Sequence, residues 1–402
     1  MPNSNAPLLS APPSPPSPTS PTSPPALTEQ ELTDLALRIK QLAEEFGFAD
    51  CGITDTDNEA AGQHLEQWLD LGYHADMDYM SKHGSKRYRA QELVPGTQRI
   101  ICLRMDYLDP TLTTLSTLED AEQAYIARYA LGRDYHKLVR KRLAQLSKAI
   151  EALIGPFGHR VFVDSAPVLE KPLAQKAGLG WQGKHTLLIN RKQGSWFFLG
   201  EIFVDLPLPI DPPYDKDHCS RCSSCMTVCP TSAFPEPYVL DANRCIAYLT
   251  IEHKGSIDEE LRPLMGNRVF GCDDCQLACP WNRAPAVSHE DDFKPRHGLD
   301  QAKLAELFKW TQEQFLSRTE GSPIRRAGFE GWQRNLAIGL GNGPATDNII
   351  KALNDQQPLA SPMVKEHIDW ALKQLQQRQK QLIQLTPVPL RTHLAKKLKH
   401  LT

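Results

Sequence analysis

The chain has 402 residues, of which 41% are hydrophobic and 23% charged, as in a soluble globular protein of two or three domains. A formal net charge of −3 excludes an overall basic field of the kind that attracts nucleic acid, although local basic patches occur. No apolar run reaches the length of a membrane span. Residues 1–27 are rich in Pro and Ser and lack the basic and apolar regions of a secretory signal, so we expect a disordered tail on a cytoplasmic protein.

Helices and strands are predicted to be mixed between residues 28 and 210. Thr28 and Glu31 fit a capping box that begins a helix. Further predictions are helices over Ala60–Gly72, Glu119–Leu131 and Tyr135–Leu153, strands over Arg99–Tyr107 and His159–Val163, a helix-like run over Val168–Ala177, and a hairpin of Thr186–Ile189 with Trp196–Val204. This mixture predicts an α+β or α/β layer fold.

The chain is predicted to be mainly helical after Trp281. The candidate helices are Ala302–Phe308, Arg334–Leu340, Asn348–Leu353 and Val364–Gln377, and Gly341-Asn-Gly-Pro344 separates two of them. Helices paired in this way suggest a short solenoid-like cap. With a linker at Asp211-Pro-Pro-Tyr214, the expected division is a tail (1–27), a first domain (28–210), a cysteine-rich module (211–285) and a helical domain (286–402).

Eight of the ten cysteines lie between Cys219 and Pro280. The first block, Cys219-Ser-Arg-Cys222-Ser-Ser-Cys225-Met-Thr-Val-Cys229-Pro230, is the C-x2-C-x2-C-x3-C-P run of bacterial ferredoxins, whose fourth cysteine ligates the other cluster. The second block, Cys272-Asp-Asp-Cys275-Gln-Leu-Ala-Cys279-Pro280, lacks its first cysteine, and Cys245 is the obvious substitute. We therefore predict two 4Fe–4S clusters, the first on Cys219, Cys222, Cys225 and Cys279 and the second on Cys229, Cys245, Cys272 and Cys275.

Two other uses of these cysteines are possible but less well supported. Structural zinc usually takes pairs of C-x2-C hooks rather than this run, and a disulfide framework needs an oxidising compartment. Two clusters close together form a short path for electrons, which requires a redox partner at each end. The remaining Cys51 and Cys102 lie in apolar surroundings and are expected to be buried.

Four segments before the cysteines are candidates for a functional site. In Phe162-Val-Asp164-Ser165-Ala-Pro167 an acid follows an apolar strand, and it is either the N-cap of the next helix or a catalytic group. The three glycines of Gly178-Leu-Gly180-Trp181-Gln-Gly183-Lys184 let a backbone approach a large ligand, although the spacing is not that of a dinucleotide or phosphate loop. Basic and aromatic residues at 79–89 and 128–136 can bind phosphate or carboxamide groups or can be surface charge.

Taken in order, these motifs resemble the epoxyqueuosine reductase family over about residues 28–400. The matching segments are Met77-Asp-Tyr79, Lys86-Arg87, Arg128-Tyr129 to Tyr135-His136, Val163 to Pro167, Gly178 to Lys184, both cysteine blocks, and Arg325-Arg326 with Trp332 to Asn342. The last of these resembles the family's HEAT-like portion. His185 stands where the family is expected to have Asn, and the Pro/Ser-rich tail is extra.

The resemblance implies reduction of epoxyqueuosine to queuosine at the anticodon wobble position of tRNA, the last step of queuosine biosynthesis. It implies an α+β fold: a cobalamin-binding α/β domain resembling reductive dehalogenases, a bacterial-ferredoxin-like module and the HEAT-like portion. Asp164 matches the family's proton donor and should have a pKa raised by burial, so that it holds a proton at neutral pH. The matching cobalamin contacts are Arg87, Arg128, Tyr129, Asp164, Gly180, Trp181, Gly183 and Lys184. No histidine motif supports a cobalt ligand, so we expect base-off cobalamin.

The implied partners are tRNA bearing epoxyqueuosine and an external electron donor, and we expect a monomer. Basic residues that could follow the tRNA backbone are Lys82, Lys86, Arg87, Arg89, Arg325, Arg326, Lys396 and Lys397, and the modified base would leave its stack. One alternative is a reductive dehalogenase-like enzyme acting on a small molecule. The other is an electron-transfer ferredoxin subunit, which would not need a whole domain before its clusters.

Overall fold

The computed structural model describes residues 27–112 and 114–385. The predicted tail therefore lies almost entirely outside the described residues, as do Lys396 and Lys397. The first part contains α1 (Glu29–Glu45), β1 (Asp50–Thr54), α2 (Glu59–Asp70), α3 (Ala90–Leu93), β2 (Arg99–Asp106), α4 (Thr114–Glu119), β3 (Tyr125–Ile126), α5 (Tyr135–Ile154), β4 (His159–Phe162), α6 (Glu170–Lys176), β5 (Trp181–Gln182), β6 (Leu188–Ile189) and β7 (Phe197–Val204). The second part contains α7 (Ser224–Val228), α8 (Ile246–Ile251), β8 (Arg268–Phe270), α9 (Asp274–Leu277), α10 (Leu304–Phe308), α11 (Gln312–Arg318), α12 (Gly328–Asn342), α13 (Asp347–Gln356) and α14 (Pro362–Leu385).

A four-stranded antiparallel sheet of order β1-β2-β7-β4 organises the first domain. Because side chains alternate along a strand, its two faces bury different residues. One face carries Ile101, Leu103 and Ile202 into a core shared with α1 and α5. The other face is covered by α6 and contains Glu201, which lies opposite Cys102 in β2 and Phe162 in β4. Both Cys102 and Cys51 are buried, as predicted.

Local sequence explains where the main helices begin. At α1 the predicted capping box is confirmed, because the Glu31 N–H donates to Thr28 Oγ1 at 3.3 Å and the Thr28 N–H donates to Glu31 Oε2 at 2.8 Å. At α5 the Asp134 carboxylate accepts the His136 N–H at 3.1 Å and caps the helix. The buried positions of α5, Val139, Leu143, Leu146 and Ile150, recur at helical spacing.

Two predicted elements are wrong, and tertiary contacts explain both. The predicted helix Glu119–Leu131 is interrupted, since α4 ends at Glu119 and β3 pairs in parallel with β8. The Ala127 N–H donates to the Phe270 carbonyl at 2.8 Å, and this pairing outweighs helix propensity. The predicted hairpin is also wrong, because β6 pairs with β5 while β7 lies between β2 and β4 in the centre of the sheet.

The C-terminal helices pack directly on the cysteine-rich module. A single hydrophobic core joins α8 and β8 to residues of α10, α12, α13 and α14. Within it, the fully buried Arg334 donates to the carbonyls of Leu249 (2.6 Å), His253 (2.9 Å) and Gly255 (2.7 Å). Helix α12 therefore fixes the backbone next to α8; the domain boundary at 285 stays a prediction. Within the described ranges, no helix combines the length and apolar character needed to cross a bilayer.

Candidate iron–sulfur and proton-transfer site

Four cysteines from the two sequence blocks meet beside the first domain. The Cys222 N–H donates to the Cys219 carbonyl at 2.8 Å, which closes the turn between these residues. Cys219 and Cys279 are buried in one small hydrophobic core with Trp181 and Ile189. Burial, with smaller contributions from Cys219, Cys225 and Cys222, raises the pKa of the Cys279 thiol to about 11, so the four thiols are electrostatic neighbours. This is the set predicted for the first cluster.

Three cysteines of the second predicted set, Cys229, Cys245 and Cys275, lie next to the first set. Burial raises the pKa of Cys275 well above its ordinary value, and Cys245, Cys225 and Cys229 add to the effect. Cys225 belongs to the first set, so the two sets are adjacent. In the part of the chain that the structure describes, no three Cys, His, Asp or Glu groups could share one metal ion, whereas a cubane places each thiolate on a separate iron. The assignment of individual cysteines stays a prediction.

Asp164 lies two residues after β4, with a φ of 37° in the left-handed region. Its carboxylate accepts a hydrogen bond from the Tyr135 hydroxyl and lies 3.3 Å from His136 Nε2. The other ring nitrogen of His136 lies 2.7 Å from Asp134 Oδ1. The Tyr135 ring stacks on Phe198 at 3.8 Å between centroids, so the strand β7 positions the hydroxyl. Asp164 does not cap α6, whose N-cap is Leu169.

The proton in this site is held by His136 and not by Asp164. Burial lowers the pKa of His136, but the hydrogen bonds to Asp134 and Asp164 outweigh it and raise that pKa to about 9. Burial acts to raise the pKa of Asp164, but hydrogen bonds from His136 and Tyr135 bring it below its ordinary value. The Asp164 side chain is 51% exposed, which limits the effect of burial. The prediction that Asp164 has a raised pKa is therefore wrong.

Two further carboxyl groups were missed from the sequence. Glu201 is 1% exposed, and among the described residues neither of its carboxyl oxygens has a hydrogen-bond partner. Burial, followed by Glu170 and Asp164, raises the pKa of Glu201 well above its usual range. Burial and Asp164 also raise the pKa of Glu170 to about 8. The available signal was a single acid in the apolar run Phe197-Phe-Leu-Gly-Glu-Ile-Phe-Val204.

The eight predicted cobalamin contacts fall into two groups. Arg87, Arg128, Tyr129 and Asp164 belong to the first. The buried Arg87 donates to the Tyr79 carbonyl, and Asp164 is close enough to Tyr129 to raise the pKa of its hydroxyl, after burial as the main cause. Arg128 Nε donates to Thr114 Oγ1 at 2.6 Å, and its guanidinium lies 4.5 Å from the Trp196 ring centroid.

Gly180, Trp181, Gly183 and Lys184 form the second group, of which Trp181 and Lys184 contact the first cysteine set. A Cβ at Gly180 would overlap the Ile189 carbonyl oxygen, so packing of β5 on β6 explains this glycine. A Cβ at Gly183 would overlap the Ile189 side chain. Trp181 packs against Trp281, with ring centroids 5.3 Å apart. Lys184 Nζ donates to main-chain carbonyls of the first cysteine block.

Tyr129 connects the Asp164 site to the second cysteine set. Its ring makes an edge contact with Tyr135 at 6.0 Å and lies 6.4 Å from Phe270, both between centroids. Asp273, adjacent to Cys272, is another electrostatic neighbour of Tyr129. A mixed α/β domain that carries a proton-holding pair beside two ferredoxin-type cysteine sets is the arrangement of an iron–sulfur oxidoreductase.

Comparison with known proteins identifies the family. A family model described as "Epoxyqueuosine reductase QueG, DUF1730" matches residues 87–165, and one described as "4Fe-4S double cluster binding domain" matches residues 218–282. The epoxyqueuosine reductase of Pseudomonas aeruginosa is 60% identical over 339 residues, which cover 84% of this chain and 94% of that protein. That of Xanthomonas campestris pv. campestris is 55% identical over 350 residues, covering 87% and 98%. The chain belongs to the epoxyqueuosine reductase family.

The fold agrees with this assignment. A crystal structure of an epoxyqueuosine reductase with an epoxyqueuosine-modified tRNA-Tyr stem loop superimposes with a TM-score of 0.78 at 24% identity, over 85% of this chain and 90% of that one. The predicted fold class is confirmed. The predictions of an oxidoreductase and of two 4Fe–4S clusters are confirmed as well, by the relatives and by the double cluster domain.

Proposed function

We propose that this chain reduces the epoxide of epoxyqueuosine in tRNA to the alkene of queuosine, using cobalamin that is reduced through the two 4Fe–4S clusters. Membership of the family supports the reaction, and a relative crystallised with an epoxyqueuosine-modified tRNA stem loop supports the substrate. The observation that carries the proposal is the position of the Asp164–His136 pair. Tyr129 lies between this pair and the segment that carries Cys272 and Cys275, because it is an electrostatic neighbour of Asp164 and its ring contacts Phe270. In this proposal, electrons from the clusters and protons from the pair therefore meet at the substrate next to Asp164.

The balance of the reaction shows what the protein must supply. Conversion of an epoxide to an alkene and water breaks two C–O bonds and consumes two electrons and two protons. When bound, the clusters supply electrons singly, and cobalamin supplies a reduced cobalt centre that is a strong nucleophile or reductant toward a strained epoxide. The departing oxygen must be protonated, because an oxygen that leaves as an unprotonated oxide is a very poor leaving group, and in this proposal side chains deliver the proton.

Asp164 and His136 together are the proton donor in this proposal. Asp164 is the more exposed member of the pair and so is the one that faces an incoming substrate. With a pKa of about 9, His136 holds a proton at neutral pH, and its Nε2 is 3.3 Å from the Asp164 carboxylate. The proton leaves His136 as Asp164 protonates the departing oxygen. Tyr135 fixes the carboxylate through its hydroxyl, and Glu170, with a pKa raised to about 8, is placed to replace the proton.

Buried polar atoms without partners support cobalamin as the cofactor. Among the described residues these atoms include Asn58 Nδ2, Arg87 Nε and both carboxyl oxygens of Glu201. Native proteins rarely leave such groups unsatisfied, and cobalamin carries many amide groups that can donate to and accept from them. Arg87, Arg128, Tyr129 and Asp164 are the residues we propose to hold it. Gly180, Trp181, Gly183 and Lys184 would then shape the wall between cobalamin and the first cluster.

The basic residues proposed for tRNA binding differ in availability. Lys82 and Lys86 are exposed, whereas the buried Arg87 cannot reach a phosphate. Arg89 is engaged with Glu59 and Glu92 at the surface. Arg326 pairs with Glu252 at 2.6 Å. It also lies 5.9 Å from the centroid of the exposed Tyr79 ring, so it is the arginine best placed for a base that enters toward Asp164.

Anaerobic reconstitution with iron, sulfide and cobalamin, followed by an assay on tRNA carrying epoxyqueuosine, tests the proposal. We expect about eight irons, as two four-iron clusters require, one cobalamin per chain, and conversion to queuosine. The same iron content with no cobalamin and no conversion would favour the electron-transfer subunit. Cobalamin binding with turnover of a small organohalide and none of tRNA would favour the dehalogenase-like enzyme. The external electron donor, a monomeric state and a cytoplasmic location stay predictions.

A further inference from the structure

The half-buried Lys184 reaches from the loop after β5 to the first cysteine block. Its Nζ donates to the Ser220 carbonyl at 2.6 Å and to the Cys222 carbonyl at 2.9 Å. Both carbonyls belong to the turn between Cys219 and Cys222. Ser220 has a φ of 40°, a conformation that residues other than glycine seldom adopt. The ammonium group therefore donates hydrogen bonds to two carbonyls of a turn whose backbone conformation is rare.

Three other contacts attach the same turn to Lys184. Asp217 Oδ1 accepts the Cys219 N–H at 2.7 Å, and the Asp217 carboxylate also accepts the Tyr238 hydroxyl. The Tyr238 N–H donates to the Lys184 carbonyl at 3.0 Å. Lys184, Asp217 and Tyr238 thus hold the turn from both sides. Only Lys184 among these three brings a positive charge.

The two hydrogen bonds of the Lys184 ammonium group hold its positive charge next to a predicted cluster ligand, because the Lys184 Nζ lies 2.9 Å from the carbonyl oxygen of Cys222 itself. The reduction potential of an iron–sulfur cluster depends on net charge, on nearby hydrogen bonds and on exposure to solvent. Reduction adds one negative charge to the cluster, so a cation held beside it favours the reduced state. Salt screens a partly buried charge less than an exposed one.

We propose that Lys184 is a positioning residue of the first cluster, which holds the Cys219–Cys222 turn and raises the reduction potential of the four-iron cluster ligated there. The inference deepens the proposed function and rests on the assignment of Cys219, Cys222, Cys225 and Cys279 to one cluster. It gives Lys184 a role toward the cluster in place of the cobalamin contact implied by the family resemblance. The segment Gly178–Lys184 would then couple the cofactor domain to its electron supply.

Potentiometric titration followed by EPR, on the reconstituted full chain without cobalamin or tRNA, tests the inference. Lys184→Met removes the charge and both hydrogen bonds, Lys184→Gln keeps a donor without the charge, and Lys184→Arg keeps the charge. Lys216→Met is the matched control, because Lys216 is exposed and lies three residues before Cys219. The wild-type titration establishes whether two clusters are present, which is the assignment on which the inference rests, whereas the separate assay on tRNA tests the proposed function. Differences between the variants test the inference.

For Lys184→Met and Lys184→Gln we expect the reduced-to-oxidised ratio of one cluster to fall about tenfold at the wild-type midpoint, which is about 59 mV for a one-electron couple. Lys184→Arg should stay near wild type, and Lys216→Met should shift the midpoint much less. If Lys184→Met alone loses the EPR signal of one cluster, the positioning role is supported. The midpoint potential of Lys184→Gln then shows the effect of the charge. Full iron content and a wild-type midpoint in both Lys184→Met and Lys184→Gln would overturn the inference.

Discussion

Replacement of His136 by Gln should separate the group that stores the proton from the group that delivers it. In the wild-type site an acid with a pKa of about 9 is about 99% protonated at pH 7. Without His136, Asp164 loses its nearest cation, and its pKa should return toward the ordinary value of about 3.9. An acid with that pKa is about 0.1% protonated at pH 7. The fraction of molecules that hold a proton on Asp164 or on residue 136 should therefore fall about a thousandfold, although Glu170 keeps its own proton.

This calculation predicts a change in the shape of the pH profile as well as in rate. The wild-type single-turnover rate should be flat near pH 7 and decline as pH rises through about 9, where His136 loses its proton. His136→Gln should be slower by about 10² to 10³-fold at pH 7, within the range usual for general acid catalysis. Its rate should rise as pH falls toward the pKa of Asp164.

The assay is single turnover of fully reduced holoenzyme with epoxyqueuosine-containing tRNA at a series of pH values. Cobalamin absorption and iron content of each variant serve as controls for assembly. Lys137→Gln is a suitable control variant, because Lys137 is next to His136 and belongs to the same helix. If His136→Gln lowers the rate by the same factor at every pH, or leaves the limb near pH 9 in place, the assignment of the stored proton to His136 is wrong.

Three further predictions concern separate parts of the molecule. Asp164→Asn should bind cobalamin with its usual absorption spectrum but lose turnover, and normal turnover would remove Asp164 from the mechanism. Arg334→Met should destabilise the protein by about 3 kcal/mol or more, because a fully buried guanidinium loses its hydrogen bonds to three carbonyls, of which that of Leu249 is buried; thermal unfolding with the exposed Lys351→Met as control measures this. Neutralising Lys82 and Lys86 to Gln should weaken tRNA binding and reduce its salt dependence by about one phosphate contact each, and an unchanged salt slope would place the tRNA elsewhere.

The cysteine module could be predicted because the spacing of its cysteines along the sequence determines whether they can bind a cluster. A ferredoxin run needs its residues at fixed intervals, so Cys219 to Cys229 predicts the clusters without knowledge of the fold. Helix α5 was predictable for a similar reason, since its buried residues recur at the period of the helix. In both cases the signal lies in residues that are close in sequence.

The errors came from contacts between residues distant in sequence. Tyr125 and Ile126 are a strand only because β8, more than 140 positions later, lies beside them. The pKa of Asp164 could not be read from the segment around it. Its direction depends on His136 and Tyr135, which α5 brings to the carboxylate. Burial alone would have raised that pKa, and the sequence contains no measure of which effect is larger.

Glu201 illustrates how a single buried acid connects stability to cofactor binding. A carboxyl group without a hydrogen-bond partner is costly to bury, and more so when it is ionised. In the unfolded chain Glu201 should release its proton near pH 4.3, whereas in the folded protein it keeps the proton to a much higher pH. The folded state thus binds more protons, and stability falls as pH rises above about 4.3. The loss amounts to about 1.4 kcal/mol for each pH unit until the folded group also ionises.

The isosteric Glu201→Gln removes this titration and keeps the shape of the side chain. Relative to wild type, the variant should gain melting temperature progressively between pH 5 and pH 8 in the cobalamin-free protein. A carboxyl group that accepts hydrogen bonds from cobalamin amides would ionise more readily, so addition of cobalamin should shrink the difference between the two proteins. A difference in melting temperature that is constant with pH would show that Glu201 does not stay protonated. A pH-dependent difference that cobalamin leaves unchanged would mean that cobalamin does not reach this carboxyl. In that case β7 would not be part of the cobalamin-binding surface.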